Sequence, residues 1–146
     1  MRRLASAMLL GVLVAGLVAA PALARANKVA LVGYAPNGVT QGGGSVIFNN
    51  PSGRNNLQVT VQLKGARPNF TYAVYLFVDG AWYRGAPVGS ITTDGQGNAT
   101  FHKNAKVSAG QHLLAIAVAL PGSGSDQYLA PAYVGMPWGI HMTFKK

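Results

Sequence analysis

Between residues 57 and 64 the side chains alternate without a break. Leu57, Val59, Val61 and Leu63 are apolar; Gln58, Thr60, Gln62 and Lys64 are polar. A period of two marks an extended strand with one face on a core and one face in water. Residues 71–78 follow another rule. Tyr72, Val74, Leu76 and Val78 share one face and Ala73, Tyr75 and Phe77 the other, which predicts a central strand covered on both sides. Gly65-Ala66-Arg67-Pro68-Asn69 between them reads as a turn, so the two segments are expected to form a hairpin of an edge-facing and a central strand.

The pattern continues in shorter units. Residues 88–93 lead into the turn run Asp94-Gly95-Gln96-Gly97-Asn98, and 99–103 return as a hairpin. Ser108-Ala109-Gly110 turns the chain again before 112–120. There Leu114, Ile116 and Val118 face one way and Ala115, Ala117 and Ala119 the other. Small residues on one face predict either a close second layer or an exposed surface. Upstream, 28–34 and 45–49 read as strands flanking Gly42-Gly43-Gly44; downstream, 128–134 and 139–144 follow a Gly/Ser-rich loop. Helical spacing is not sustained anywhere after residue 26. About seven to nine short strands at this spacing predict an all-β chain, folded as a single antiparallel β-sandwich over residues 27–146.

Three stretches carry a resemblance: GARPNFTYAVYLF, VGSITTDGQGNATFH and SAGQHLLAIAV. The PN-x-x-Y strand start and the TD-x-x-GN turn make residues 44–120 similar to immunoglobulin-like and fibronectin-type-III-like modules of secreted bacterial proteins. The resemblance implies an immunoglobulin-like sandwich that binds or spaces and does not catalyse. The chain departs from antibody-type domains in lacking both cysteines.

The first 26 residues stand apart from the fold. Arg2 and Arg3 precede an apolar run broken at Pro21, and Ala22-Leu23-Ala24 places small residues where a signal peptidase cuts. Cleavage is expected after Ala24 or Ala26. The alternative is a retained membrane anchor, since the run approaches the ~20 residues that span a bilayer. Cleavage predicts a secreted, extracellular protein with no membrane span, periplasmic if the source is Gram-negative. The absence of cysteine removes a disulfide framework, thiolate metal sites and a Cys nucleophile. From Asn27 onward nine cations stand against Asp79, Asp94 and Asp126, a net charge of +6. Such a surface attracts polyanions.

Candidate chemistry is sparse. Asp94-Gly95-Gln96-Gly97-Asn98 offers alternating oxygens for calcium, but no Glu exists to close the loop, so a turn is expected. His102, His112 and His141, with Met142 as a soft extra ligand, define a copper-binding alternative, although no pair has ligand spacing. No other metal and no cofactor is expected. A Ser-His-Asp set would have to draw on three Asp, and Asp79-Gly80 and Asp94-Gly95 both read as turns; no enzyme is expected. Two clusters combine aromatic and basic groups. One is Trp82-Tyr83-Arg84, in the loop after the central strand, where Arg84 is the best single contact. The other gathers Tyr128, Tyr133 and Trp138 near Lys145 and Lys146. Aromatic rings with donors nearby suit sugars and interfaces; the alternative is that Trp82 and Trp138 cap the ends of the core. Trp82, Tyr83, Arg84, Trp138, Lys145 and Lys146 are therefore the expected ligand-binding residues. The expected partner is a polysaccharide or other anionic cell-surface polymer, not nucleic acid. A filament or matrix subunit is the alternative, self-associating through edge strands such as Val29-Ala30-Leu31-Val32.

Overall fold

A computed structural model describes residues 26–34, 42–51, 56–121, 127–130 and 139–145. Ten strands run in the order β1 Ala26–Tyr34, β2 Gly43–Asn49, β3 Leu57–Lys64, β4 Thr71–Val78, β5 Ala81–Trp82, β6 Gly89–Thr92, β7 Ala99–Ala105, β8 Gly110–Ala119, β9 Gln127–Ala130 and β10 Ile140–Phe144. Every pairing is antiparallel. The expected signal peptide over residues 1–26 lies outside the described residues except for Ala26, which opens β1. Cleavage after Ala24 leaves β1 whole.

The hydrogen-bonded path β4-β8-β9-β1-β2-β3-β7 is continuous. It doubles back at β9–β1, so the β1-β2-β3-β7 half faces the half built on β4 and β8. The period-two pattern explains the layering. Val46, Phe48, Leu57, Val59, Val61 and Leu63 from one half meet Tyr72, Val74, Leu76, Leu114, Ile116 and Val118 from the other in one core. Each such side chain contributes about 1.5–3 kcal/mol on burial. The result is an all-β antiparallel sandwich, joined along one side by β1. That strand pairs with β2 over Ala26–Val32 and with β9 over Val32–Tyr34. Val29-Ala30-Leu31-Val32, the strand of the self-association alternative, is thus paired with β2 along one edge.

Two expected hairpins are not hairpins. β3 pairs with β2 and β7, whereas β4 pairs with β5, β6 and β8. The turn between β3 and β4 carries the chain across the sandwich, and β3 is interior to its sheet. Likewise β6 joins β4 and β7 joins β3 across the Asp94–Asn98 turn. These two crossings are fastened to each other. Ala66 N–H donates to Gly97 O and Asn69 N–H to Asp94 O, both at 3.0 Å. The Thr93 hydroxyl, buried, donates to Arg67 O at 2.6 Å and accepts from Phe70 N–H at 2.9 Å. A local turn satisfies its own backbone either way, so partner choice rests on distant register.

The outer face of β4 corrects a further expectation. Ala73, Tyr75 and Phe77 are only half-buried; what shields them is lateral, from Ala115 and Ala117 of β8 and from Trp82. Among the described residues no second layer covers them.

Tyr72 fills the middle of the core at 0 % exposure, edge-on to Tyr128 at 5.7 Å, and among the described residues its hydroxyl has no hydrogen-bond partner. A buried hydroxyl without a partner costs desolvation energy with no return. Tyr72→Phe is therefore expected to stabilise the domain by about 1 kcal/mol, raising its melting temperature by about 3–6 °C in a calorimetric scan. A lower melting temperature would mean the hydroxyl is bonded after all.

Candidate functional site

The Trp82-Tyr83-Arg84 cluster divides. Trp82 closes the two-residue strand β5 against Phe77 and turns to the outer face of β4. Its ring lies 4.9 Å from Tyr75, tilted 51°, and 6.3 Å from Phe77 at 89°. Rings at these angles pack on one another and do not make the coplanar platform on which a sugar chain lies flat. Trp82 is 52 % exposed, so it does not cap an end of the core.

Tyr83 and Arg84 turn the other way. The chain leaves β5 through a single 3-10 turn, Tyr83–Gly85, and reaches β6 along Ala86, Pro87 and Val88. This segment forms one bank of a groove of about 400 Å³; Lys103, Asn104, Ala105 and Lys106 form the other. The groove is the open side of the sandwich, where β6 and β7 approach without pairing. Tyr83 ties the banks together: its hydroxyl donates to Lys106 O at 3.1 Å and accepts from Lys106 N–H at 3.2 Å.

Arg84 holds φ 58°. Left-handed backbone costs a residue with a Cβ about 1–2 kcal/mol, and Asn or Asp meets that demand more readily than Arg. Its guanidinium sits 5.3 Å from the Tyr83 ring centroid. Lys103 is the less expected member. It pairs with Val59, which is 1 % exposed, and so occupies an inward-facing register position between Phe101 and Ala105. Lys103 is half-buried and lines the groove; a lysine so placed can lay its stem over apolar surface and keep its ammonium in water. Neither Lys103, Lys106 nor Arg84 meets a carboxylate: among the described residues the one ion pair is His112–Asp79. Three cations without a counter-charge share one groove.

Of the second aromatic cluster, only Tyr128 and Lys145 lie among the described residues. Tyr128 is core, at 2 % exposure. Lys145 is exposed just beyond β10, and Tyr133, Trp138 and Lys146 lie outside the described residues.

The histidines take different positions. His102 stands on the outer face of β7 with Nδ1 3.0 Å from Thr60 Oγ1. His141 is exposed on β10 opposite Leu113, and Met142 is buried. His112, at the start of β8, contacts Asp79 at 2.6 Å and Ser108 at 3.1 Å. Among the described residues no three His, Cys, Asp or Glu gather as a metal cluster, so the copper alternative finds no site among them.

Asp94 works inside its turn. Its Oδ1 accepts the N–H groups of Gln96 and Asn98, both at 2.8 Å. The Asn98 bond first, then the Gln96 bond, holds the carboxyl below its ordinary value of 3.8. Asp79 is lowered too, first by the Leu113 N–H and then by His112. The sign follows: the unfolded carboxyls keep protons that the folded ones release, so their contribution is present above the ordinary value and lost as pH falls below it. A urea midpoint followed from about pH 6 to pH 2 should decline on the acid side, and less steeply in Asp94→Asn. Parallel curves would remove Asp94 from the account.

No family model matches the chain, and no curated protein or solved structure matches it either.

Proposed function

We propose that the chain is a secreted binding module for anionic polymers, an acidic cell-surface polysaccharide above all. The groove between the 3-10 turn and β7 is its contact site. One observation carries the reading: Lys103, Arg84 and Lys106 line one groove, and among the described residues none of them meets a carboxylate. Cations clustered along one groove repel one another and attract an anionic ligand, whose charged groups neutralise them. The connectivity supports an immunoglobulin-like module, with β2-β3-β7 as one sheet and β6-β4-β8-β10 as the other. The net charge of +6 beyond the leader adds long-range attraction. The contact residues are Tyr83, Arg84, Lys103 and Lys106; Trp82 marks a separate apolar surface.

The test is a titration of the purified protein with polygalacturonate, inorganic polyphosphate and neutral dextran. Binding to the two polyanions that weakens with added salt, with none to dextran, supports the reading. Binding to dextran alone, or to none of the three, removes it.

A further inference from the structure

Outside the groove, one turn brings together three side chains that sequence spacing does not connect. Asp79 follows β4 and holds φ 52° in the Asp79-Gly80 turn, while Ser108 lies in the turn from β7 into β8 and His112 near the start of β8. His112 Nδ1 lies 2.6 Å from Asp79 Oδ2, and His112 Nε2 lies 3.1 Å from Ser108 Oγ. The second carboxylate oxygen, Asp79 Oδ1, accepts the Leu113 N–H at 2.9 Å, and Asp79 N–H donates to Leu113 O at 2.8 Å. The carboxylate is therefore fixed on β8 before it meets the imidazole.

The protons follow from the partners. A carboxylate only accepts, so Nδ1 carries hydrogen, and whenever Nε2 is unprotonated it can accept from the Ser108 hydroxyl. Ser108 O also lies 3.1 Å from Nε2. Once Nε2 is protonated, that carbonyl accepts from it while Asp79 balances the charge on the other side. The ring is housed for both states: its side chain is 14 % exposed and packs 6.0 Å from the Phe144 ring. Ser108 itself is exposed. Its position is set by Asn56, which bonds both the N–H and the carbonyl of Val107.

We propose that Ser108 is an activated nucleophile that takes acyl groups from carboxylic esters, with His112 as its general base and Asp79 as the residue that positions the ring. Oγ attacks the ester carbonyl as its proton passes to Nε2. The C–O bond to the alcohol breaks, and the alkoxide leaves with that proton. Water, deprotonated by Nε2, then releases the acid from acyl-Ser108 and restores the hydroxyl. Nothing is oxidised or reduced. The inference does not depend on the anionic groove, and either stands without the other.

The experiment is a timed reaction of the full chain with a fluorophosphonate, in which Oγ displaces fluoride from phosphorus, followed by peptide mapping; p-nitrophenyl acetate serves as the ester. Ser90, exposed on β6, is the internal reference. Ser108 is expected to label about 100-fold or more faster than Ser90, and His112→Gln to lose that advantage. Ser108→Ala should abolish the release of p-nitrophenol above buffer while keeping the wild-type melting temperature. Equal labelling of Ser108 and Ser90 in the wild-type protein overturns the proposal whether or not His112→Gln folds, as does undiminished ester cleavage by Ser108→Ala.

Discussion

Gly97→Ala is expected to cost about 3 kcal/mol, the largest loss from any single added methyl group at the turns described. Gly97 holds φ 79°, and a Cβ there would stand 2.0 Å from Ala66 O and 2.7 Å from Ala66 N. Both obstacles are backbone, so no side-chain rotation relieves them. The left-handed conformation accounts for about 1–2 kcal/mol. The rest comes from displacing Ala66, whose N–H donates to Gly97 O, at about 1 kcal/mol for the bond. Against a total of about 5–15 kcal/mol, such a loss is a large share of stability. Gly95 is the control. It lies two residues away in the same turn, has nothing within 4 Å of its added Cβ and no positive φ. Gly95→Ala should leave the urea midpoint within about 0.5 kcal/mol of wild type. Equal midpoints for the two variants would show that the two crossings are not fastened at Gly97.

Removal of the three groove cations should have the largest effect on binding. Replacing Arg84 and Lys106 by Ala and Lys103 by Met is expected to weaken polygalacturonate binding at least ~100-fold, since each lost charge-assisted contact is worth about 1.5 kcal/mol or more. Lys103→Met keeps an unbranched stem over the apolar surface, so the folded state should be as stable as wild type. The salt dependence should flatten as well, because fewer counter-ions are exchanged. General attraction to a basic protein would give a different result. Lys28→Ala with Lys64→Ala removes charge at a separate groove bordered by β1, β2 and β3, and should change affinity only a few-fold. If the two charge-removal sets weaken binding per charge to the same degree, the groove is not the site.

The sequence showed faces better than partners. Alternation over 57–64 put Leu57, Val59, Val61 and Leu63 in the core, and each is at most 1 % exposed. The same alternation runs through β7, where Thr100, His102 and Asn104 face out and Phe101, Lys103 and Ala105 face in. Lys103 was thus readable as a cation in an inward register, a signal carried by alternation and not by any run of charge. Pairing was not readable. A five-residue turn closes a hairpin or crosses a sandwich with equal local satisfaction, and the choice lies with β7 and β8, far along the chain. Trp82 and Tyr83 are adjacent yet separate onto different surfaces, because the chain passes from extended β5 into a 3-10 turn between them. Asp79 was readable as a turn residue and is one; that its carboxylate also meets His112 depends on where β8 lands.

β1 joins both halves of the sandwich, and Val32 pairs with Leu129. A chain that emerges amino-terminus first, from a ribosome or a translocation channel, presents β1 early and β9 nearly last. Hydrogen bonds between β1 and β2 can form at once, but the seam that closes the sandwich waits for almost the whole polypeptide. Contacts so distant in sequence make folding slow. The final shape is therefore reached only after the last strands arrive.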